Sequence, residues 1–115
     1  MISIIIPTLW QSDCIFNTIR DFTYSDLEGM ELIIIDNGSQ YGVDLMKTKA
    51  DIYIRKEYAM GYTRATNLGL ALADHEYLCV LNNDDYVPEG WLQNMLEAFE
   101  QNGAGSVAPM DRPSE

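Results

Sequence analysis

The sequence predicts a single α/β domain, residues 1–115, in which helices flank both faces of a mostly parallel β-sheet. Short apolar segments alternate with amphipathic ones along the chain, which is the usual order of strands and helices in such domains. The strand segments are apolar on both faces, as strands buried between two helical layers are. A length of 115 residues, 47% of them hydrophobic, suits one globular core.

The first part of the chain predicts two strands and one helix. Residues 3–6 form an apolar, β-branched run that stops at Pro7, which indicates a buried strand. Residues 11–22 carry apolar side chains at helical spacing and predict a helix. Residues 31–35 repeat the pattern of the first strand, and the polar residues 36–39 predict the turn that ends it.

The middle of the chain predicts two helices and two strands. Residues 43–49 are expected to form a short helix, and the alternating residues 51–55 a third strand. Residues 60–73 predict a helix with small and apolar side chains on one side. The apolar run over residues 76–81 predicts a fourth strand.

The last part of the chain contains a strongly amphipathic segment. Residues 89–101 place their large apolar side chains on one face, which predicts a helix. Pro88 suits the first turn of that helix, because proline lacks an N–H that is unpaired there anyway. Residues 106–108 are expected to begin a fifth strand.

The charge of the chain restricts its ligands. The sequence has 18 acidic and 7 basic residues, a net charge of −11. Such a surface disfavours nucleic acid, because that binding depends on Lys and Arg neutralising phosphates. It also repels a phosphorylated small molecule unless a cation intervenes. A second interpretation, that the acidic excess only keeps the protein in solution, remains open at this point.

Cysteine usage and hydropathy predict the compartment. Cys14 and Cys79 lie far apart and form no CxxC pair, so both are expected to be core thiols in a reducing cytoplasm. The apolar run over residues 2–6 is too short for a membrane span and has no basic leader or cleavage site. We therefore expect a cytoplasmic protein with no transmembrane segment.

A polar cluster directly follows the fourth predicted strand. Asn82, Asn83, Asp84 and Asp85 interrupt the apolar pattern in the stretch VLNNDDYVPEGW. Carboxylates gathered at a strand end are suitable ligands for Mg²⁺ or Mn²⁺, which complete their coordination with water and phosphate oxygens. The alternative is that the two aspartates only cap the following helix. The phosphate-binding sequence GxxxxGK is absent, which argues against a P-loop.

Four stretches in order resemble the nucleotide-sugar-binding half of family 2 glycosyltransferases of the GT-A fold. They are ISIIIPT, ELIIIDNGS, GYTRATNLGLALADHEYLCVLNNDD and VPEGWLQNMLEAFEQN. The resemblance covers nearly the whole chain and implies a Rossmann-like nucleotide-binding architecture, in a minimal or truncated form. It further implies a nucleoside diphosphate sugar, most consistent with a UDP-sugar, as the small-molecule partner.

The resemblance also implies roles for residues that meet the nucleotide. Thr8, beside Pro7, would meet the base through its backbone and hydroxyl. Asp36 would accept a hydrogen bond from a uracil-like base, or would only form the turn. Arg64 and Asn67 would face the nucleotide from the start of their helix, or Arg64 would be a solvated helix charge.

The family's Asp-x-Asp motif falls on the polar cluster after the fourth strand. Asp84 would hold the metal, Mn²⁺ or Mg²⁺, and Asp85 would supplement it or act as a cap. Asn82 and Asn83 would bind the nucleotide, but Asn82 replaces the commoner first Asp and is a weaker metal ligand.

Two functions remain open from the sequence. The first is a minimal glycosyltransferase that binds a UDP-sugar through a metal, as a homo-oligomer or with a partner that supplies the acceptor site. The second is a non-catalytic module that binds a nucleotide or nucleotide sugar. No acid after the fourth strand matches the family's catalytic base by motif. Trp10 is expected either to stack on a base or to cover the sheet end, and His75 is expected to lie in a surface turn away from any metal.

Overall fold

The computed structural model describes residues 2–10, 30–58, 60–82 and 90–102. Every strand and helix predicted within these ranges is confirmed, with its ends within two residues of the prediction. The helix predicted over residues 11–22 and the strand predicted over 106–108 lie outside the described residues. In chain order the elements are β1 (Ile2–Thr8), β2 (Met30–Asp36), α1 (Val43–Lys49), β3 (Ile52–Arg55), α2 (Tyr62–Leu72), β4 (Tyr77–Val80) and α3 (Trp91–Asn102).

The four strands form one parallel sheet in the order β3-β2-β1-β4. The chain moves outward from β1 through β2 to β3 and then returns to the opposite side of β1 to form β4. The winding direction therefore reverses at β1, and the carboxyl ends of β1 and β4 flank the switch point. In open sheets of this kind, ligands bind in the crevice at such a point.

Strand β1 extends two residues beyond its predicted end. The sequence predicts that Pro7 stops the strand, yet Pro7 and Thr8 pair in register with Ile35 and Asp36 of β2. Pairing with β4 ends at Ile5, so β2 is the only described strand that borders the end of β1. A residue without an N–H is tolerated there, as it is at the edge of a sheet.

Two helical layers cover the sheet, as predicted. Helices α1 and α3 pack on the face that carries Ile4, Ile6 and Ile34, and α2 packs on the face that carries Ile5 and Ile33. The approach of α2 to β1 is close, because a Cβ added at Gly69 would lie 2.3 Å from Cγ2 of Ile5. Only glycine leaves room for this contact.

Strand β4, the last strand on its side of the sheet among the described residues, is covered less completely than the sequence predicts. Tyr77 and Cys79 pack against the core beneath α3, with the Tyr77 and Phe99 rings edge to face at 5.3 Å. Leu78 and Val80 point to the opposite face and are 51% and 40% exposed. Among the described residues, α2 packs chiefly on β1 and β2 and does not cover Leu78 and Val80.

Among the described residues, the helices are too short and too polar for any of them to cross a membrane.

Candidate functional site

The polar segments predicted to bind a ligand meet at the carboxyl edge of the sheet. Thr8 is the last residue of β1 and Asp36 the last residue of β2, and the two are paired in register. Asn82 follows the end of β4, just after Leu81, whose N–H donates to the carbonyl of Ile5 at 2.9 Å. Thr8 and Asn82, both predicted to bind the nucleotide, therefore lie on the two sides of the switch point between β1 and β4.

Asp36 is fully buried and accepts hydrogen bonds from five donors within the protein. Its Oδ1 accepts from the backbone N–H of Gly38 and from the N–H and hydroxyl of Ser39. Its Oδ2 accepts from the Tyr53 hydroxyl and from Nη1 of Arg55, the latter at 2.9 Å. The contact of Asp36 with a uracil-like base stays a prediction. Such a base would have to replace Tyr53 or Arg55 as a donor to Oδ2, or donate to that oxygen beside them.

The electrostatics of this cluster favour an ionised Asp36. Burial raises the pKa of the Asp36 carboxyl, but hydrogen bonds from Ser39 and Tyr53 and the charge of Arg55 outweigh it and lower the pKa overall. Burial and the hydrogen bond to Asp36 raise the pKa of Tyr53 to about 12, so its hydroxyl stays a donor at neutral pH. The cluster is thus a buried carboxylate with matched donors.

The turn after β2 is fixed from the β1 side as well. The N–H of Asn37 donates to the carbonyl of Thr8 at 2.9 Å, and the N–H of Trp10 donates to Oγ of Ser39 at 2.8 Å. Thr8 is buried, and Pro7 beside it is also enclosed. The backbone carbonyl of Thr8 is therefore already hydrogen-bonded to the turn. The contact of Thr8 with a base stays a prediction.

A side-chain contact joins the same turn to the segment before α2. Oδ1 of Asn37 accepts a hydrogen bond from the N–H of Met60 at 2.9 Å. Arg64 and Asn67 follow in the first two turns of α2, and both side chains are exposed. The amino end of α2 thus lies at the carboxyl edge of the sheet, as the predicted nucleotide roles of Arg64 and Asn67 require.

The predicted metal ligands Asp84 and Asp85 lie outside the described residues. Of the two amides predicted to bind the nucleotide, Asn83 also lies outside them, whereas Asn82 is described and exposed. Within the part of the chain that the structure describes, no group of three or more His, Cys, Asp or Glu side chains is arranged to hold a metal ion. Metal binding by Asp84 and Asp85 therefore stays a prediction.

Trp10 and His75 each contact other parts of the protein. Trp10 is 4% exposed and packs in the core, so it covers the sheet end and is not presented to a base. His75 is partly buried, and its Nδ1 lies 3.0 Å from Oγ of Ser3 and 3.6 Å from Oε1 of Glu31. This contact is at the amino end of the strands, opposite Thr8 and Asp36 at their carboxyl ends.

Sequence reasoning missed the parts played by Tyr53, Arg55 and Asn37. Tyr53 and Arg55 are two residues apart on β3, so they share one face of the sheet, and Asp36 pairs in register with Arg55. The alternation of β3 is visible in the sequence, but the parallel register that brings Asp36 to it is not. Asn37 lies in a turn, where asparagine is common for local reasons, so its contact with Met60 could not be recognised from the sequence.

Comparison with known proteins identifies the family. The family model of glycosyl transferase family 2 matches residues 3–112 of the chain. A putative polypeptide N-acetylgalactosaminyltransferase 13 of Drosophila melanogaster is 31% identical over 97 residues, covering 72% of this chain and 17% of that protein. The glycosyltransferase GlyG of Streptococcus pneumoniae is 20% identical over 113 residues, covering 93% of this chain and 38% of that protein.

Comparison with solved structures identifies the same fold. The crystal structure of residues 1–349 of S. aureus TarS superposes with a TM-score of 0.72 at 17% identity, covering 95% of this chain and 38% of that chain. TarS has also been crystallised with UDP and with UDP-GlcNAc. The chain therefore has a GT-A fold, and it spans well under half the length of these relatives.

Proposed function

We propose, from the premise that this chain belongs to glycosyl transferase family 2, that it binds a nucleoside diphosphate sugar for glycosyl transfer. The proposed site is the carboxyl edge of the sheet at the switch point between β1 and β4. The observation that carries the proposal is the convergence there of Thr8, Asp36 and Asn82 with the amino end of α2. Open parallel sheets bind ligands at this place.

UDP is the nucleotide proposed for the site. The TarS structures in complex with UDP and with UDP-GlcNAc support this choice, because they show that a protein of the same fold binds those ligands. A uracil base offers an N–H to an acceptor such as Asp36, and a ribose hydroxyl can bond to an amide such as that of Asn82. Arg64 and Asn67 would lie on the phosphate side.

A divalent cation is proposed as the partner of the diphosphate. The net charge of −11 opposes a free diphosphate, and Arg55 already pairs with Asp36 inside the protein. Asp84, helped by Asp85, would hold Mn²⁺ or Mg²⁺ through carboxylate oxygens. When bound, the ion would stabilise the charge that develops on the leaving diphosphate.

A binding module without transfer is the second candidate. The matched region is 38% of GlyG and 38% of TarS residues 1–349, so the activity of those whole proteins stays a proposal for this chain. Transfer requires a general base and an oriented acceptor, and no acid after the fourth strand matches the family's base by motif. Losing a positioned base lowers a rate by about 10²–10⁴-fold, so we expect slow transfer, or none, by this chain alone.

An activity assay separates these two candidates. The protein is incubated with UDP-glucose, UDP-galactose or UDP-GlcNAc and Mn²⁺, with and without a mixture of sugar acceptors, and UDP release and glycoside formation are both followed. We expect slow, metal-dependent UDP release with little glycoside. Asp84→Ala should remove that release, and Glu97→Gln, on the exposed side of α3, is the matched control.

Each alternative result has a distinct meaning. Donor binding without UDP release supports the binding module. Brisk acceptor-dependent transfer by a monomer would show that the base lies within these 115 residues. Absence of any donor binding in Mn²⁺ would contradict the proposed function in both forms.

A further inference from the structure

We infer that Asn37 is a positioning residue, which holds the end of β1, the turn after β2 and the start of α2 in one geometry. These are the segments that carry the predicted nucleotide contacts Thr8, Asp36 and Arg64. The inference rests on the proposed function, because the geometry matters to activity only if a nucleotide binds at this edge. Its structural part can be tested without any nucleotide.

Asn37 reaches two other segments at the same time. Its backbone N–H donates to the carbonyl of Thr8 at 2.9 Å, at the end of β1. Its side-chain Oδ1 accepts from the N–H of Met60, also at 2.9 Å. Met60 immediately precedes Gly61, the N-cap residue of α2. A single residue therefore links the strand, the turn and the helix.

The contact with Met60 matters because α2 lacks the usual means of fixing its amino end. Gly61 has no side chain to cap the helix, and its φ of 85° is in the region that favours glycine. The first turn of α2 has no acidic residue that would favour the positive end of the helix. The hydrogen bond from Met60 to Asn37 supplies a fixed point one residue before the cap.

Burial makes this hydrogen bond difficult to replace. Asn37 is only 8% exposed and its hydrogen bond with Met60 is partly buried, so water has restricted access to this contact. Since a backbone N–H requires an acceptor, the oxygen of the amide, and not its nitrogen, has to face Met60. Aspartate keeps an oxygen at that place, whereas alanine leaves the Met60 N–H without its acceptor.

Loss of the contact should affect one side of the nucleotide more than the other. Asp36 is held by Ser39, Tyr53 and Arg55 and does not need the side chain of Asn37. Base contacts at β1 and β2 should therefore survive. The start of α2, where Arg64 lies, would lose its fixed point, so contacts with the phosphates should weaken.

Comparison of uridine with UDP tests this asymmetry. Both are titrated in Mn²⁺ into the wild-type protein, Asn37→Ala and Asn37→Asp, by calorimetry for UDP and NMR for uridine. We expect Asn37→Ala to lower the affinity for UDP about tenfold, which corresponds to the loss of one hydrogen bond to a charged group. The affinity for uridine should change less than about twofold. Asn37→Asp should bind UDP more tightly than Asn37→Ala does.

Three results would overturn the inference: equal losses for uridine and UDP in Asn37→Ala, no loss of UDP affinity in that variant, or equal UDP affinities in the two variants. An equal loss would mean that Asn37 either contacts the base or only stabilises the fold.

Hydrogen exchange in the ligand-free protein separates this inference from the proposed function. We expect the amide of Met60 to exchange about tenfold faster in Asn37→Ala and near the wild-type rate in Asn37→Asp, with the amides of β1 and β2 unchanged. If the wild-type protein binds no nucleotide, the proposed function fails, while the exchange rate still decides whether Asn37 fixes α2. An unchanged rate at Met60 in Asn37→Ala would overturn the inference.

Discussion

Asp36 and Arg55 are paired in register at the ends of neighbouring parallel strands, with Nη1 of Arg55 2.9 Å from Oδ2 of Asp36. Asp36 is fully buried, whereas the Arg55 side chain is 28% exposed. Arg55 also donates to the carbonyl of Ser39 at 2.9 Å. One of only seven basic residues is thus engaged within the protein, which increases the need for a cation if a diphosphate binds nearby.

Replacement of Asp36 should destabilise the fold. We expect Asp36→Asn to lower the free energy of unfolding by about 3 kcal/mol, because an amide cannot accept from all the donors and lacks the charge that pairs with Arg55. Urea denaturation followed by circular dichroism measures the change. Asp44→Asn, at an exposed position of α1, is the control and should be nearly neutral. A loss in Asp36→Asn as small as that of the control would contradict the role of Asp36.

The same carboxylate should make stability depend on acid pH. The folded-state pKa of Asp36 is lowered from the ordinary value of 3.8. The stabilisation is therefore present above about pH 4 and is lost as the pH falls through the folded-state value. Denaturation curves between about pH 2 and 6 should show this loss in the wild-type protein and a smaller slope in Asp36→Asn. Equal slopes in the two proteins would mean that other carboxylates dominate.

Gly42 should resist substitution because of Trp10. A Cβ at Gly42 would lie 2.0 Å from Cε3 of Trp10, whereas a Cβ at Gly90 would meet no described residue within 4 Å. Both glycines have positive φ, 73° and 78°, so the backbone strain of alanine is similar at the two sites. We expect Gly42→Ala to be less stable than Gly90→Ala by about 2 kcal/mol, the usual cost of overpacking.

Thermal and urea denaturation of the two alanine variants measure that difference. Similar stabilities would show that Trp10 moves aside without cost, and would contradict its assignment to the core.

Removal of the Tyr53 hydroxyl tests whether Asp36 recognises the base. Tyr53→Phe leaves Arg55 in place but frees an acceptor position on Oδ2 of Asp36. A uracil N–H could then bond there, whereas cytosine offers no donor at the same ring position. We expect the preference for UDP over CDP to increase in Tyr53→Phe, as measured by calorimetry. An unchanged ratio would contradict the base contact of Asp36.

The sequence predicts those parts of the fold that depend on local pattern. Residues 43–49 form the predicted helix, and the apolar strands pair in parallel, because hydrophobic periodicity determines both features. The end of β1 was predicted too early at Pro7, since the strand's length depends on its pairing with β2.

The site was less predictable than the fold because its contacts are distant in sequence. Asp36 and Asn37 were visible as polar residues after a strand, but their partners Tyr53, Arg55 and Met60 are 17 to 23 residues away. No local pattern specifies such contacts. The sequence therefore predicted where a ligand would bind, while the structure showed which polar groups are already engaged within the protein.

Calorimetric titration of UDP in Mn²⁺ and in a chelator tests metal-dependent nucleotide binding most directly. We expect measurable binding in Mn²⁺ and a much weaker affinity in the chelator. Asp84→Ala should abolish the difference, and Asp85→Ala, its matched neighbour, should reduce it less. Equal affinity for UDP in Mn²⁺ and in chelator would contradict the account.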